Sequence, residues 1–261
     1  MKCFFYRSEL KISFSEEMHR SHFTFRGIMK SDAMQRVSDS VLSVTPPAEM
    51  DTYDDVFSNT VIFGSIAAPH KVLTFTQEAK VVTGMSRCLP LSSREPLHLY
   101  RFQSRLTVPG ETLEEFRKSL PARRKENALE RALIITEEIY AHMNYVKGIT
   151  GTATSAEDAF ASRMGVCQDY THILLSLLRS EGYAARYVCG IFPGSLTSHA
   201  WAEVLHNGIW IGIDPVNMKL CDDTYAVLAR GADSSDTLLN KGVFFGSGQQ
   251  HMQCTYSLEE Q

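Results

Sequence analysis

Three short stretches of the chain carry the residue types that nucleophilic catalysis needs. Gly165-Val166-Cys167-Gln168-Asp169-Tyr170 offers a thiol, Ser198-His199-Ala200-Trp201 an imidazole, and Ile213-Asp214-Pro215 a carboxylate. A thiol becomes a strong nucleophile when its proton is removed, and an imidazole can remove that proton near neutral pH. A carboxylate can then hold the ring's tautomer and stabilise the imidazolium. Whether these groups meet depends on the elements that carry them.

Cys167 precedes Tyr170, Ile173, Leu174, Leu177 and Leu178, an apolar stripe at helical spacing that ends at Glu181-Gly182. It therefore falls in the first turn of a predicted helix, entered through Gly165. Unpaired N–H groups and the helix dipole favour an anion there, and a cysteine's pKa falls in such a setting. Taken alone, a cysteine at a helix start is more often a small buried residue.

Residues 184–192 read as a strand closed by Pro193-Gly194. His199 to His206 and Ile209 to Ile213 then flank Asn207-Gly208, a strong two-residue hairpin signal. That turn pairs His206 with Ile209 and so sets Trp201 opposite Asp214. His199, Trp201 and Asp214 share one face, with His199 and Asp214 diagonal neighbours roughly 7–8 Å apart at the backbone. A lone His on a strand and an Asp before Pro are each ordinarily structural. The register that links them, following a helix-start thiol, tips the balance toward catalysis. Trp201 reads as a packing wall first and a side of a substrate groove second. His172 sits off the thiol's face, and it, Asp169, Tyr170 and Glu203 read as structural support.

Residues 1–105 read as β. Phe23-Thr24-Phe25, residues 35–44 and residues 71–76 alternate with period two, and Pro46-Pro47 and Ala68-Pro69-His70 punctuate them. Residues 59–66 and 72–82 read as a hairpin, and the whole as a small antiparallel sandwich. Asp51, Asp54 and Asp55 lack calcium-loop spacing and read as a solvated loop. Beyond Pro109-Gly110, Thr112-Leu113-Glu114-Glu115 resembles a capping box. Residues 127–143 read as a helix with Leu129, Leu133, Ile134, Ile139 and Tyr140 on the period and Glu130, Arg131, Glu137 and Glu138 mostly outside. A short helix follows over 156–164. The expected fold is α+β, with a β-rich unit at 1–105 and a second unit at 106–261.

The net charge of −4 gives no basic footprint for nucleic acid or a membrane surface, and Arg123-Arg124-Lys125 reads as a solvated turn. No apolar window reaches the length of a membrane span or a signal segment, so the expected place is the cytoplasm. The six cysteines, at 3, 88, 167, 189, 221 and 254, include no C-x-x-C pair. They suit reduced thiols rather than zinc or a redox couple, with Cys189 and Cys221 inert. Asp222, Asp223, Asp233 and Asp236 lack a loop spacing for calcium and read as solvated surface. No metal or organic cofactor is expected.

The motifs at 165–172, Ala-Arg-Tyr-Val-Cys-Gly at 185–190, Ser-His-Ala-Trp-Ala-Glu-Val at 198–204 and Asp-Pro-Val-Asn at 214–217 resemble the core of the transglutaminase-like superfamily. They are most similar to its bacterial cysteine-protease branch, over roughly residues 125–220. Residues 53–59 and the strands after them resemble the β-rich domain that often precedes this core. The resemblance implies a papain-like α+β core, with Cys167 as nucleophile, His199 as general base and Asp214 orienting it. Where the family often has a Gly-Arg-Asp-Tyr-like turn, this chain has Arg230-Gly231-Ala232-Asp233-Ser234-Ser235-Asp236. The expected reaction is thiol acyl transfer from a peptide or amide substrate. The backbone N–H of Cys167 would hold the oxyanion, with Gln168 the candidate second donor. Water as acceptor makes a peptidase or amidase, and an amine makes a transglutaminase. A non-catalytic protein-binding domain of the same fold is the remaining alternative.

Overall fold

The computed structural model describes residues 1–86, 88–121 and 127–261, so the Arg123-Arg124-Lys125 turn lies outside the described residues. The chain opens with β1 (Lys2–Met18), β2 (Arg20–Phe25), β3 (Gln35–Thr45), β4 (Glu49–Asp54), β5 (Thr60–Ile66) and β6 (His70–Thr83). These strands divide between two sheets. β1, β6 and β3 are neighbours in one, and β2, β5 and β4 in the other. The inward residues of each sheet interdigitate: Phe23 and Phe25 of β2 meet Phe75 of β6, with ring centroids 4.8 Å and 4.9 Å apart. This is the expected antiparallel sandwich, but β5 and β6 are not a hairpin. The chain crosses between sheets at Ala68-Pro69, and each strand pairs elsewhere, β5 with β2 and β4, β6 with β1 and β3.

A two-stretch connection with β7 (Leu89–Pro90) leads to α1 (Glu111–Ser119), α2 (Ala128–His142), β8 (Asn144–Tyr145), α3 (Ala156–Ser162), β9 (Met164–Gly165) and α4 (Cys167–Ser180). The expected capping box of α1 is absent. The cap comes from α3 instead, where the Glu157 carboxylate accepts from the N–H groups of Gly110, Thr112 and Leu113. In α2 the Asn127–Glu130 capping box is present. Arg131, expected to face outward, is buried and doubly hydrogen-bonded to Glu181 at 2.7 Å and 2.6 Å. A buried guanidinium with a fork of partners can sit inside where an unpaired one could not.

Five more strands form a further sheet: β10 (Ala185–Ile191), β11 (His199–His206), β12 (Ile209–Asp214), β13 (Lys219–Leu220) and β14 (Ala226–Gly231). Their order is β13-β12-β11-β10-β14, with β7 alongside β12. Asn207 and Gly208 both have positive φ, at 50° and 77°, as the two-residue turn requires. The observed register pairs His206 with Ile209 and Ala202 with Ile213, as the sequence predicts. α4 packs on β10 and β11, burying Ile173, Leu174, Leu177 and Leu178 completely.

The chain ends with a 3₁₀ turn (Ser234–Asp236), β15 (Asn240–Phe245) and β16 (Gln250–Glu260). β15 pairs with β2 and β16 with β1, so residues 240–260 complete the two N-terminal sheets. The expected division at residue 105 thus has strands of its second part hydrogen-bonded into its first. Asp233 and Asp236, expected at a solvated surface, are inside this junction. Asp233 is 3% exposed and accepts from Ser235 N–H, while Asp236 accepts from Ala232 N–H.

Candidate active site

The thiol end of the site is set by the first turn of α4. Asp169 sits three residues past the helix N-cap Val166, and its Oδ2 accepts from Val166 N–H at 2.7 Å and from the Thr150 hydroxyl at 2.7 Å. That carboxylate lies directly over Gly165, where an added Cβ would fall 2.7 Å from the Asp169 side chain. Gly165 is therefore required by close approach rather than by a turn. β8 runs parallel to β9 beside it, with Val146 N–H donating to Gly165 O. Cys167 itself is half-buried and opens the helix, where the first N–H groups have no intrahelical acceptor.

The other two groups come from the hairpin. His199 Nε2 and Asp214 Oδ2 are 2.7 Å apart, closing the diagonal predicted from the turn. Cys167 and His199 line one cleft, and with Nε2 engaged by Asp214, Nδ1 is the ring nitrogen left for a thiol. Burial pulls the His199 pKa down, but the hydrogen bonds and charges of Asp214 and Cys167 outweigh it and raise it to about 9. Burial likewise pushes Asp214 up, and is overcome by His199, Asn217 and Tyr225, which hold it at about 2. An imidazolium–carboxylate pair is the form this environment favours.

Asp214 is fully buried and accepts five hydrogen bonds: from His199, Val216 N–H, Asn217 N–H, Asn217 Nδ2 and Tyr225 Oη. Neither Asn217 nor Tyr225 was singled out from sequence as a partner. Asn217 stands three residues past the carboxylate, an Asx-turn spacing that could have been read. Tyr225 arrives from the loop before β14 and carries no local signal. Phe192 meets the His199 ring edge-on at 5.1 Å, and Trp201 lies nearly parallel to it at 6.4 Å. Trp201 is 1% exposed, beneath Gly190, where an added Cβ would fall 2.2 Å from its ring. It packs in a buried cluster with Val188, Tyr225 and Val227.

A cleft of about 440 Å³ opens over these groups, lined by Tyr145, Lys147, Cys167, Phe192, His199 and Asn217 among others. This is within the range of small-molecule and peptide-side-chain pockets. The Gln168 side chain turns away from it and donates to Gly151 O at 3.1 Å. His172 is wholly buried, accepts from Ser234 N–H at Nε2, and is pushed down to about 4 by burial. It holds the 233–236 turn to α4, the place where the family pattern is not kept. Cys189 is pushed up to about 12 by burial, and Cys221 is likewise raised. Among the described residues no group of three or more His, Cys, Asp or Glu side chains is placed to hold a metal ion. No described helix is long and apolar enough to cross a membrane.

Cys167 and His199 thus line one cleft, from α4 and the hairpin, with Asp214 buried against the ring. Residues 117–215 match the Transglutaminase-like superfamily, and residues 7–82 match the Bacterial transglutaminase-like N-terminal region. Residues 117–215 are thus transglutaminase-like, and they follow an N-terminal region of the bacterial transglutaminase-like kind. A crystal structure described as a "putative cysteine protease" from Cytophaga hutchinsonii superposes with a TM-score of 0.78 at 22% identity, covering 100% of this chain and 98% of that one. An uncharacterised protein of Mycobacterium bovis is 26% identical over 252 residues, spanning 84% of this chain and 80% of its own. One of Mycobacterium leprae is 27% identical over 237 residues, spanning 84% and 85%.

Proposed function

We propose that the protein is a thiol-dependent hydrolase of amide bonds, a cysteine peptidase or amidase working through an acyl-enzyme. The observation that carries this reading is that His199, paired with Asp214 at 2.7 Å, lines one cleft with Cys167 at the start of α4. His199 takes the thiol proton and the sulfur attacks the substrate carbonyl carbon. The carbonyl π electrons move to oxygen, and the oxyanion is held by the unpaired N–H groups at the start of α4, Cys167 first and Gln168 as the candidate second donor. Collapse breaks the C–N bond, and the leaving amine takes its proton from His199. Water then attacks the thioester, His199 removing its proton, and the acid leaves. Asp214 keeps the ring oriented throughout. The six cysteines are all unpaired, which suits a reducing compartment such as the cytoplasm.

A second reading is amine transfer, favoured by the transglutaminase-like core match. Both share the acylation half. A peptide pool incubated with the protein and a labelled primary amine separates them by mass spectrometry, with Cys167→Ala as control. New peptide termini that vanish in the control support hydrolysis, and labelled amides without new termini support transfer. Neither product, together with iodoacetamide labelling Cys167 no faster than Cys3 or Cys254, leaves only a binding domain.

A further inference from the structure

We propose that the acyl group accepted by this cleft carries a carboxylate close to the scissile carbonyl, and that Lys147 is the residue that selects it. The inference rests on the thiol chemistry proposed above and adds the substrate's charge to it.

The cleft is lined by Tyr145, Lys147, Val166, Cys167, Phe192 and Ser195 on one part of its rim and by 197–199, Val216 and Asn217 on the other. No carboxylate lines it among the described residues, although the chain as a whole is net acidic, at −4. Asp214 and Asp169 both stand behind the surface, engaged by His199 and by Val166 and Thr150. Two polar side chains of the lining are already engaged: the Ser195 hydroxyl donates to Thr197 O, and the Asn217 amide to Asp214. Lys147 differs, because its ammonium is exposed and makes no ion pair among the described residues.

Its backbone is nevertheless fixed with respect to the thiol. Val146 N–H donates to Gly165 O on one side of Lys147. On the other, the Thr150 hydroxyl donates to Asp169, and Gly151 O accepts from the Gln168 side chain. The loop is thus tied at both ends to the segment that opens α4, and a Lys side chain from it overhangs the cleft. The N-terminus of the 14-residue α4 points the same way, adding its own preference for an anion. A neutral acyl group would leave this cation without a partner. A carboxylate a few ångströms from the attacked carbon would pair with it.

The test uses iodoacetate and iodoacetamide as a matched charged and neutral pair of thiol reagents on the full chain. Rate constants for alkylation at Cys167 are read by peptide mass spectrometry and expressed as the iodoacetate-to-iodoacetamide ratio, normalised to free glutathione. Lys147→Gln should lower that ratio about three- to fivefold, as expected for one screened unit charge near the thiol, and leave the iodoacetamide rate unchanged. Lys147→Glu should lower it further, and added salt should shrink the wild-type advantage. An equal ratio in wild type and Lys147→Gln overturns the proposal, as does an equal slowing of both reagents. A wild-type Cys167 that reacts with iodoacetamide no faster than Cys3 or Cys254 sinks the thiol chemistry itself, and is told apart from those outcomes by the wild-type rates alone.

Discussion

At the scale of single residues, the site is governed by Asp214, which collects five donors on one buried carboxylate. Asp214→Asn keeps the shape but removes the charge that lifts His199 to about 9. Turnover should fall on the order of 10⁴-fold, as when a triad carboxylate is replaced by its amide. The pair also sets a pH window for stability. His199 is raised from 6.5 to about 9, so its contribution is full below pH 6.5 and fades as pH rises through 9. Asp214 is lowered from 3.8 to about 2, so its contribution is full above 3.8 and fades as pH falls through 2. The urea-unfolding difference between wild type and Asp214→Asn should therefore be largest between pH 3.8 and 6.5 and shrink on both sides. A difference that does not vary with pH would contradict the ion pair. The His199–Asp214 pairing was legible because a two-residue turn turns sequence spacing into register, and the place of Cys167 at the start of α4 because an apolar stripe follows it at helical spacing. Tyr225 was not, because its hydrogen bond to Asp214 depends on where a separate loop lands.

At the scale of elements, two side-chain amides close the free edge of β14. Gln35 exchanges hydrogen bonds with both backbone groups of Val227, at 2.9 Å and 2.8 Å, and Asn59 does the same with Arg230, at 2.7 Å and 2.8 Å. Residues three apart in a regular strand face opposite edges. The register shift at Cys189/Gly190 in the β10–β14 ladder is what lets Val227 and Arg230 both face outward. Asn59→Ala would leave a buried N–H and C=O unpaired, and should cost about 1–3 kcal/mol in urea unfolding. Glu157→Ala removes the shared cap of α1 and should cost about 0.5–2 kcal/mol. Neither device has a local signature. The sequence placed helices and strands well from periodicity, but read a capping box at Thr112 because that motif is local, whereas the true cap stands 45 residues away. It also read β5 and β6 as a hairpin, because alternation reports which face a residue takes and not which sheet a strand joins.

At the scale of the whole molecule, strands of the sandwich contribute to the apolar core around α4 as well as to the core between their own sheets. β1 shows this along its length: Phe4 and Tyr6 lie in the same buried cluster as Leu174, Leu177 and Leu228, while Leu10, Ile12 and Phe14 belong to the core between the two sandwich sheets. β16 returns beside β1 and adds Tyr256 and Leu258 to the first cluster. Charge crosses the same boundary. Arg230 bridges Asp32 and Glu203, and Arg186 bridges Glu203 and Glu95, so the two arginines that hold Glu203 at about 2 against burial also reach carboxylates of the first region. A domain border near residue 105 was the natural reading of a composition change, since periodicity cannot show that the last strands return to the first. The geometry makes a different expectation for dissection. A fragment of residues 106–261 would expose Leu228, Tyr256 and Leu258, strip β15 and β16 of their partners, and leave β14 an open edge. It should show no cooperative urea transition and should aggregate, whereas the full chain unfolds in a transition in which sandwich and core signals coincide. Two separated transitions for the full chain, or a fragment that folds and still alkylates Cys167 at the full-length rate, would show that the thiol site stands without the sandwich.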